Sequence, residues 1–154
     1  MVRVLCIDDY AAGLRIRKTM LEARGCSVLT AESGARGLEL LEEHAVDVVI
    51  LDYRLQDMNG EEIARAIKKK RPALPILLLT GSPREVPPSL LWLVDAYVVK
   101  GQPPKKLLDD IQRLTGKQLE HSGAAALSEA IKEEIERSRK AVGVESPKRG
   151  TGTA

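Results

Sequence analysis

Residues 46–52, VDVVILD, form a run of branched apolar side chains that ends in a carboxylate. Such a run fits a strand buried on both faces, as strands of a parallel sheet are. Asp52 then sits at the carboxyl end of that strand, where open α/β sheets place their ligands. Asn59 and Gly60 follow, and then a helical pattern. A buried strand of this kind needs apolar layers above and below it, so the rest of the chain has to supply them.

The remaining segments do so by alternation. The sequence predicts β1 over 2–8, α1 over 11–24 with Gly25 as its stop, β2 over 27–31 and α2 over 34–44 with Leu38, Leu41 and Ala45 on one face. After β3 over 46–52 comes α3 over 60–71. Asn59 with Glu62 three residues on predicts its cap. Ile63 and Ile67 face inward, and the basic end suits the helix dipole. PILLLT predicts β4 over 75–80. Pro83, Pro87 and Pro88 delay the next helix, so α4 is short, over 89–94. β5 spans 96–100. Pro103 and Pro104 open α5, which runs to the stop at Gly116 with Leu107, Ile111 and Leu114 facing in. Five strands alternating with five helices imply a parallel sheet covered on both faces.

Composition narrows the classes. With 154 residues, 44% of them hydrophobic, the chain can build one domain plus an appendage. A net charge of +2 gives little reason to expect a polyanionic partner. No apolar run approaches the length of a membrane span, and the N-terminus reads into a strand rather than a signal peptide. A cytoplasmic chain without membrane or nucleic-acid partners is expected. Cys6 and Cys26 lack metal-like spacing and read as packing residues. His44 and His121 read as surface positions, and Lys68 to Arg71 as a solvated helix end.

The strands end in residues with useful chemistry: Asp8 and Asp9 after β1, Asp52 at β3, Thr80 at β4 and Lys100 at β5. Parallel strands bring these to one rim. An acid pair alone is usually a cap or a solvated turn, and a lone Thr or Lys is usually structural or surface; the shared placement carries the weight. Three carboxylates together repel unless a cation is present. Hard oxygen ligands suit Mg²⁺. A lysine and a hydroxyl beside them suit a phosphoryl group.

On these residues, with Gly60, Thr80-Gly81 and Tyr97 three positions before Lys100, residues 1–118 resemble the receiver domain of two-component response regulators. The resemblance implies a flavodoxin-like (CheY-like) (βα)5 doubly wound sheet of order 2-1-3-4-5. It implies that Asp52 accepts a phosphoryl group from a sensor histidine kinase or phosphotransfer protein. Mg²⁺ would be held by Asp9 and Asp52, by Asp8 through water, and by the backbone carbonyl of Arg54. Lys100 would pair with Asp52 and then with the phosphoryl oxygens. Thr80 would be drawn to the phosphoryl group, and Tyr97 would turn into the space left behind. The output would be a repacking of the α4–β5–α5 face toward an unknown downstream protein, with self-phosphorylation and autodephosphorylation as the only catalysis. The expected form is a stand-alone receiver, and a homodimer would form through that face or the C-terminal helix.

Some positions depart from the family pattern. Leu55-Gln56 stand where Met-Pro is common, which predicts a less rigid loop. Arg54 lies close to the path of an attacking water, where it would alter dephosphorylation, pair with Asp8 or Asp9 when metal is absent, or simply face solvent. Gly101 replaces a proline that usually follows a cis bond. A cis bond before a non-proline residue costs about 2.5–4 kcal/mol, so a trans bond or a rearranged loop is expected. Leu90, Leu91 and Trp92 are expected in the core, with an exposed partner patch as the alternative, and Tyr10 and Tyr53 are expected to pack at the site mouth. Residues 119–154 hold a linker, a helix over about 125–142 with a stripe of Leu127, Ala130, Ile131 and Ile135, and a disordered end over 143–154. The helix would dock on the receiver, pair with a second copy or bind a partner, or the segment would be a frayed, solvated tail.

Two other classes compete. A haloacid dehalogenase-type phosphatase also uses an Asp nucleophile after a strand, but it wants a second acid two residues on, where Arg54 stands. A degenerate interaction module is opposed by the complete set Asp8, Asp9, Asp52, Thr80 and Lys100.

Overall fold

A computed structural model of the chain describes residues 1–120 and 124–142. The disorder expected over 143–154 and the placement of His121 lie outside the described residues, as do the side chains of Leu127 and Ala130. β1 (Arg3–Ile7), β2 (Ser27–Ala31), β3 (Val48–Asp52), β4 (Ile76–Thr80) and β5 (Ala96–Val99) form one parallel sheet of order β2-β1-β3-β4-β5. α1 (Ala11–Glu22), α2 (Gly34–Glu43), α3 (Gly60–Lys70), α4 (Pro88–Leu93) and α5 (Pro104–Thr115) connect and follow the strands, and α6 (Ala124–Val142) comes last. This is the flavodoxin-like, CheY-like architecture expected from the sequence.

Successive strand residues point to opposite faces, and two apolar layers result. Val4, Cys6, Val48, Ile50, Leu77 and Leu79 join Leu14 and Leu21 of α1 and Leu107 and Ile111 of α5. Leu5, Ile7, Val49, Leu51, Ile76 and Leu78 join Leu40 and Leu41 of α2, Ile63 and Ile67 of α3 and Leu90 of α4. The chain order reverses between β1 and β3, so a crevice opens between their carboxyl ends.

Helix ends follow local chemistry. Asn59 Oδ1 accepts from Glu62 N at 2.8 Å and caps α3. Gly25 and Gly116 take left-handed φ values of 82° and 67° where α1 and α5 stop. The basic end of α3 is tied to its neighbours: Lys68 to Asp95 (2.8 Å), Lys70 to Glu42, and Arg71 to the carbonyls of Leu41 and His44. Lys69 and Lys70 remain exposed, as expected of a solvated helix end, while Lys68 and Arg71 are half-buried.

Several expectations need correction. α2 buries Gly34, Gly37, Leu40 and Leu41, leaves Leu38 half-buried and exposes Ala45. A Cβ at Gly37 would run into Ile7, so the absence of a side chain lets this helix approach the sheet. On α4 only Leu90 enters the core; Leu91 is 41% and Trp92 89% exposed. Three consecutive side chains cannot all turn inward, since a helix rotates each by roughly 100°. Tyr10 is exposed, whereas Tyr53 packs against the α2–α4 layer.

α6 packs back on α1. Glu120 N donates to Arg24 O (2.9 Å) beside the end of α1. Farther along, Arg15 meets Glu134 (3.1 Å) and Ser138 (3.3 Å). The two helices therefore run antiparallel, with Ile131 and Ile135 half-buried. None of the described helices is long and apolar enough to cross a membrane.

Candidate functional site

Register fixes the rim. Ile7 pairs with Leu51, Asp52 with Leu79 and Thr80 with Val99, so β1, β3, β4 and β5 end side by side. Asp8, Asp9, Asp52, Thr80 and Lys100 follow from these ends. Asp8 and Asp52 are buried. Oxygens of Asp8, Asp9 and Asp52 lie within 4.8 Å of one another. Lys100 Nζ lies 2.9 Å from Asp52 Oδ1 and 3.9 Å from Asp8 Oδ2. It makes this reach although no peptide bond among the described residues is cis; Gly101 turns the chain with φ 88° instead.

Burial pushes the Asp52 carboxyl up to about 6; the Lys100 ammonium pulls it down, and the neighbouring Asp8 pushes it further up. The three acids thus form a crowded anionic pocket with the Lys100 ammonium at its mouth. Three hard carboxylate donors around one point fit a small divalent cation such as Mg²⁺.

Thr80 is buried, and its hydroxyl donates to Ser82 O (3.0 Å) and accepts from Ser82 N (3.1 Å). Tyr97, on the edge strand β5, is 44% exposed. Its ring lies on the rim of a groove of about 930 Å³ that also holds Leu91, Val94, Lys106 and Asp109. The site itself opens through a smaller cleft of about 310 Å³ lined by Asp52, Arg54, Ser82, Glu85 and Lys100 among others.

Arg54 does not turn to Asp8 or Asp9. Its guanidinium pairs with Glu85 across the mouth, while its backbone N–H approaches Asp52 Oδ1 at 3.4 Å. The loop after β3 is also better held than its Leu55-Gln56 sequence suggests. Asp57 accepts from the N–H groups of Gly34 and Ala35, both at 3.0 Å, and Tyr53 Oη donates to Glu85 O at 3.0 Å.

Sequence reasoning missed Arg17, Asp57 and Glu85. Arg17 Nη2 lies 3.4 Å from Asp8 Oδ2. Its signal was present: Leu14, Arg17 and Leu21 share one helical face. Asp57 and Glu85 gave none, because their partners lie 22 to 31 residues away.

A family model for the response regulator receiver domain matches residues 4–112. The transcriptional regulatory protein GlrR of Escherichia coli K12 is 40% identical over 78 residues, which is 51% of this chain and 18% of that protein. The alginate biosynthesis regulator AlgB of Pseudomonas putida is 31% identical over 152 residues, 94% of this chain and 32% of the relative. The chain thus spans between 18% and 32% of the length of these two relatives. The response regulator TrrA of Thermotoga maritima, whose crystal structure is a complex with Mg²⁺-BeF, superposes with a TM-score of 0.70 at 32% identity, over 74% of this chain and 99% of that one. With the matched span, the strand order and the strand-end acids in agreement, this chain belongs to the response-regulator receiver family of two-component signalling.

Proposed function

We propose that Asp52 accepts a phosphoryl group from the phosphohistidine of a sensor kinase or phosphotransfer protein, and that the chain acts as a switch rather than a turnover enzyme. The observation that carries this reading is the pairing of a buried carboxylate with Lys100 at 2.9 Å inside a cluster of three acids. Asp8, Asp9 and Asp52, with the Arg54 carbonyl, are the residues that would hold Mg²⁺, and TrrA was crystallised with Mg²⁺-BeF. Bound Mg²⁺ supplies positive charge to the phosphoryl oxygens.

The chain's own groups do the rest. An Asp52 carboxylate oxygen attacks phosphorus in line. The P–N bond breaks, and the departing imidazole keeps the electron pair and takes a proton. Lys100 exchanges its bond to Asp52 for one to a phosphoryl oxygen. Thr80 gives up its bond to Ser82 O for the phosphoryl group, and Tyr97 turns inward. The result is a shift in population between two packings of the α4–β5–α5 face. The groove beside β5, with Leu91 and Tyr97 exposed along it, is the surface we assign to a downstream protein or a second copy. α6 returns to α1, so the receiver's other surfaces stay open for this role.

The test is incubation with acetyl phosphate, with and without Mg²⁺, followed by intact mass on wild type and Asp52→Ala. One added phosphate on wild type alone, dependent on Mg²⁺, is the expected result; no adduct on wild type overturns the proposal. Arg54→Ala is expected to change the lifetime of the adduct, because Arg54 and Glu85 close the mouth through which water reaches Asp52. An unchanged lifetime removes that role.

A further inference from the structure

α1 carries an arginine where its helical phase calls for an apolar residue. Leu14 and Leu21 are buried in the layer between α1 and the sheet. Arg17 shares their face, so its side chain enters the same layer and is only 13% exposed. Nη2 lies 3.4 Å from Asp8 Oδ2, whereas Nη1 is buried without a hydrogen-bond partner. An unpaired buried donor is costly, so packing alone is a poor reason to keep a guanidinium there. Asp8 is 1% exposed. Its Oδ1 accepts from Tyr10 N (2.9 Å), and its Oδ2 faces Arg17 from inside the fold and Lys100 (3.9 Å) from the mouth.

We infer that Arg17 is a fixed internal counter-ion to the acid cluster: a positioning residue that holds Asp8 in place and weakens Mg²⁺ binding by supplying part of the charge the metal would bring. The inference rests on the Mg²⁺ reading above. Three carboxylates face two cations in the site, so an entering metal meets less negative charge than the acids alone would present. Lys100 is free to swing toward a phosphoryl group. Arg17 is enclosed, and its charge stays beside Asp8 whatever occupies the mouth.

The experiment titrates Mg²⁺ alone into wild type, Arg17→Met and Arg17→Lys by calorimetry at fixed ionic strength, and follows thermal unfolding without metal. Arg17→Met is expected to tighten the Mg²⁺ dissociation constant about tenfold, the effect of one unit charge on a divalent ion a few ångströms away even at the dielectric of water. Arg17→Lys keeps the charge and is expected to stay within about threefold of wild type. Metal-free Arg17→Met is expected to unfold at a lower temperature and to recover when Asp8→Asn is added. Equal Mg²⁺ affinity in wild type and Arg17→Met overturns the inference and leaves the proposed function standing. A failure of Arg17→Met to fold that Asp8→Asn does not relieve also overturns it, since Arg17 is then a packing residue. Absence of Mg²⁺ binding to wild type overturns both.

Discussion

The acid crevice between β1 and β3 and the surface beside β5 belong to one sheet but are built in opposite ways. In the crevice, Asp8, Asp52, Thr80 and Lys100 each hold at least one partner, and the carboxylates sit where two central strands end. Beside β5, the last strand has a neighbour on one side only, α4 is six residues long, and Trp92 points into solvent. A crevice whose buried carboxylates are already paired with cations suits charge stabilisation. A surface with apolar area left uncovered suits a change of partner. On the proposed function, chemistry and output would be separated across the sheet, with Thr80 on the crevice side and Tyr97 on the β5 side.

That separation is open to attack. The largest effect is expected from Lys100→Ala, which removes the cation 2.9 Å from Asp52 and should slow phosphorylation by acetyl phosphate about 10²–10³-fold. Trp92→Ala should leave that rate unchanged, and a comparable slowing there would break the division. The two residues of α4 sharpen it in stability. Leu90 is fully buried, so Leu90→Ala should cost about 3 kcal/mol in denaturant unfolding. Trp92→Ala, two positions on, should cost no more than about 0.5 kcal/mol.

Next in size is a pH effect confined to the crevice. The Asp52 carboxyl is raised to about 6 in the folded protein, above the ordinary range near 4 of an unfolded chain. A raised carboxyl contributes stability in full below the unfolded value, and that contribution is lost as pH rises through the folded one. Asp52 should therefore contribute a loss of about 2 kcal/mol in the metal-free protein between pH 4 and 7, read as the difference from Asp52→Asn, since one pKa unit corresponds to about 1.4 kcal/mol. Asp52→Asn should flatten that slope. Equal slopes in the two proteins would mean that the acids are less crowded than their geometry indicates.

The smallest effect belongs to the site mouth. Arg54 and Glu85 are both well exposed, and such a pair contributes less than about 1 kcal/mol. Glu85→Ala should change unfolding little while altering adduct lifetime in step with Arg54→Ala.

The crevice was legible in the sequence because strand ends are. VDVVILD and PILLLT announce buried strands, and a parallel sheet puts whatever ends them on one rim. Asn59, Gly25 and Gly116 mark helix ends by chemistry that is local to the chain. Where the reading failed, the cause was non-local or a broken pattern. The prolines around residues 83–88 leave too short a run to show which side of α4 faces in, so Leu91 and Trp92 were misplaced. Arg54 found Glu85, 31 residues on, rather than Asp8 or Asp9. The loop after β3 is held by Asp57 reaching the start of α2, a contact that no spacing rule contains. Arg17 was readable as a charge on an apolar face, but its meaning depended on Asp8 lying beneath it.

The central claim is that Asp52 carries the phosphoryl group. The most direct measurement is to treat the phosphorylated protein with borohydride, which reduces an aspartyl phosphate to homoserine, and to map the change by peptide mass. The account predicts homoserine at position 52 and nowhere else. Reduction at Asp8 or Asp9, or a phosphorylated protein whose residue 52 remains aspartate, would contradict it.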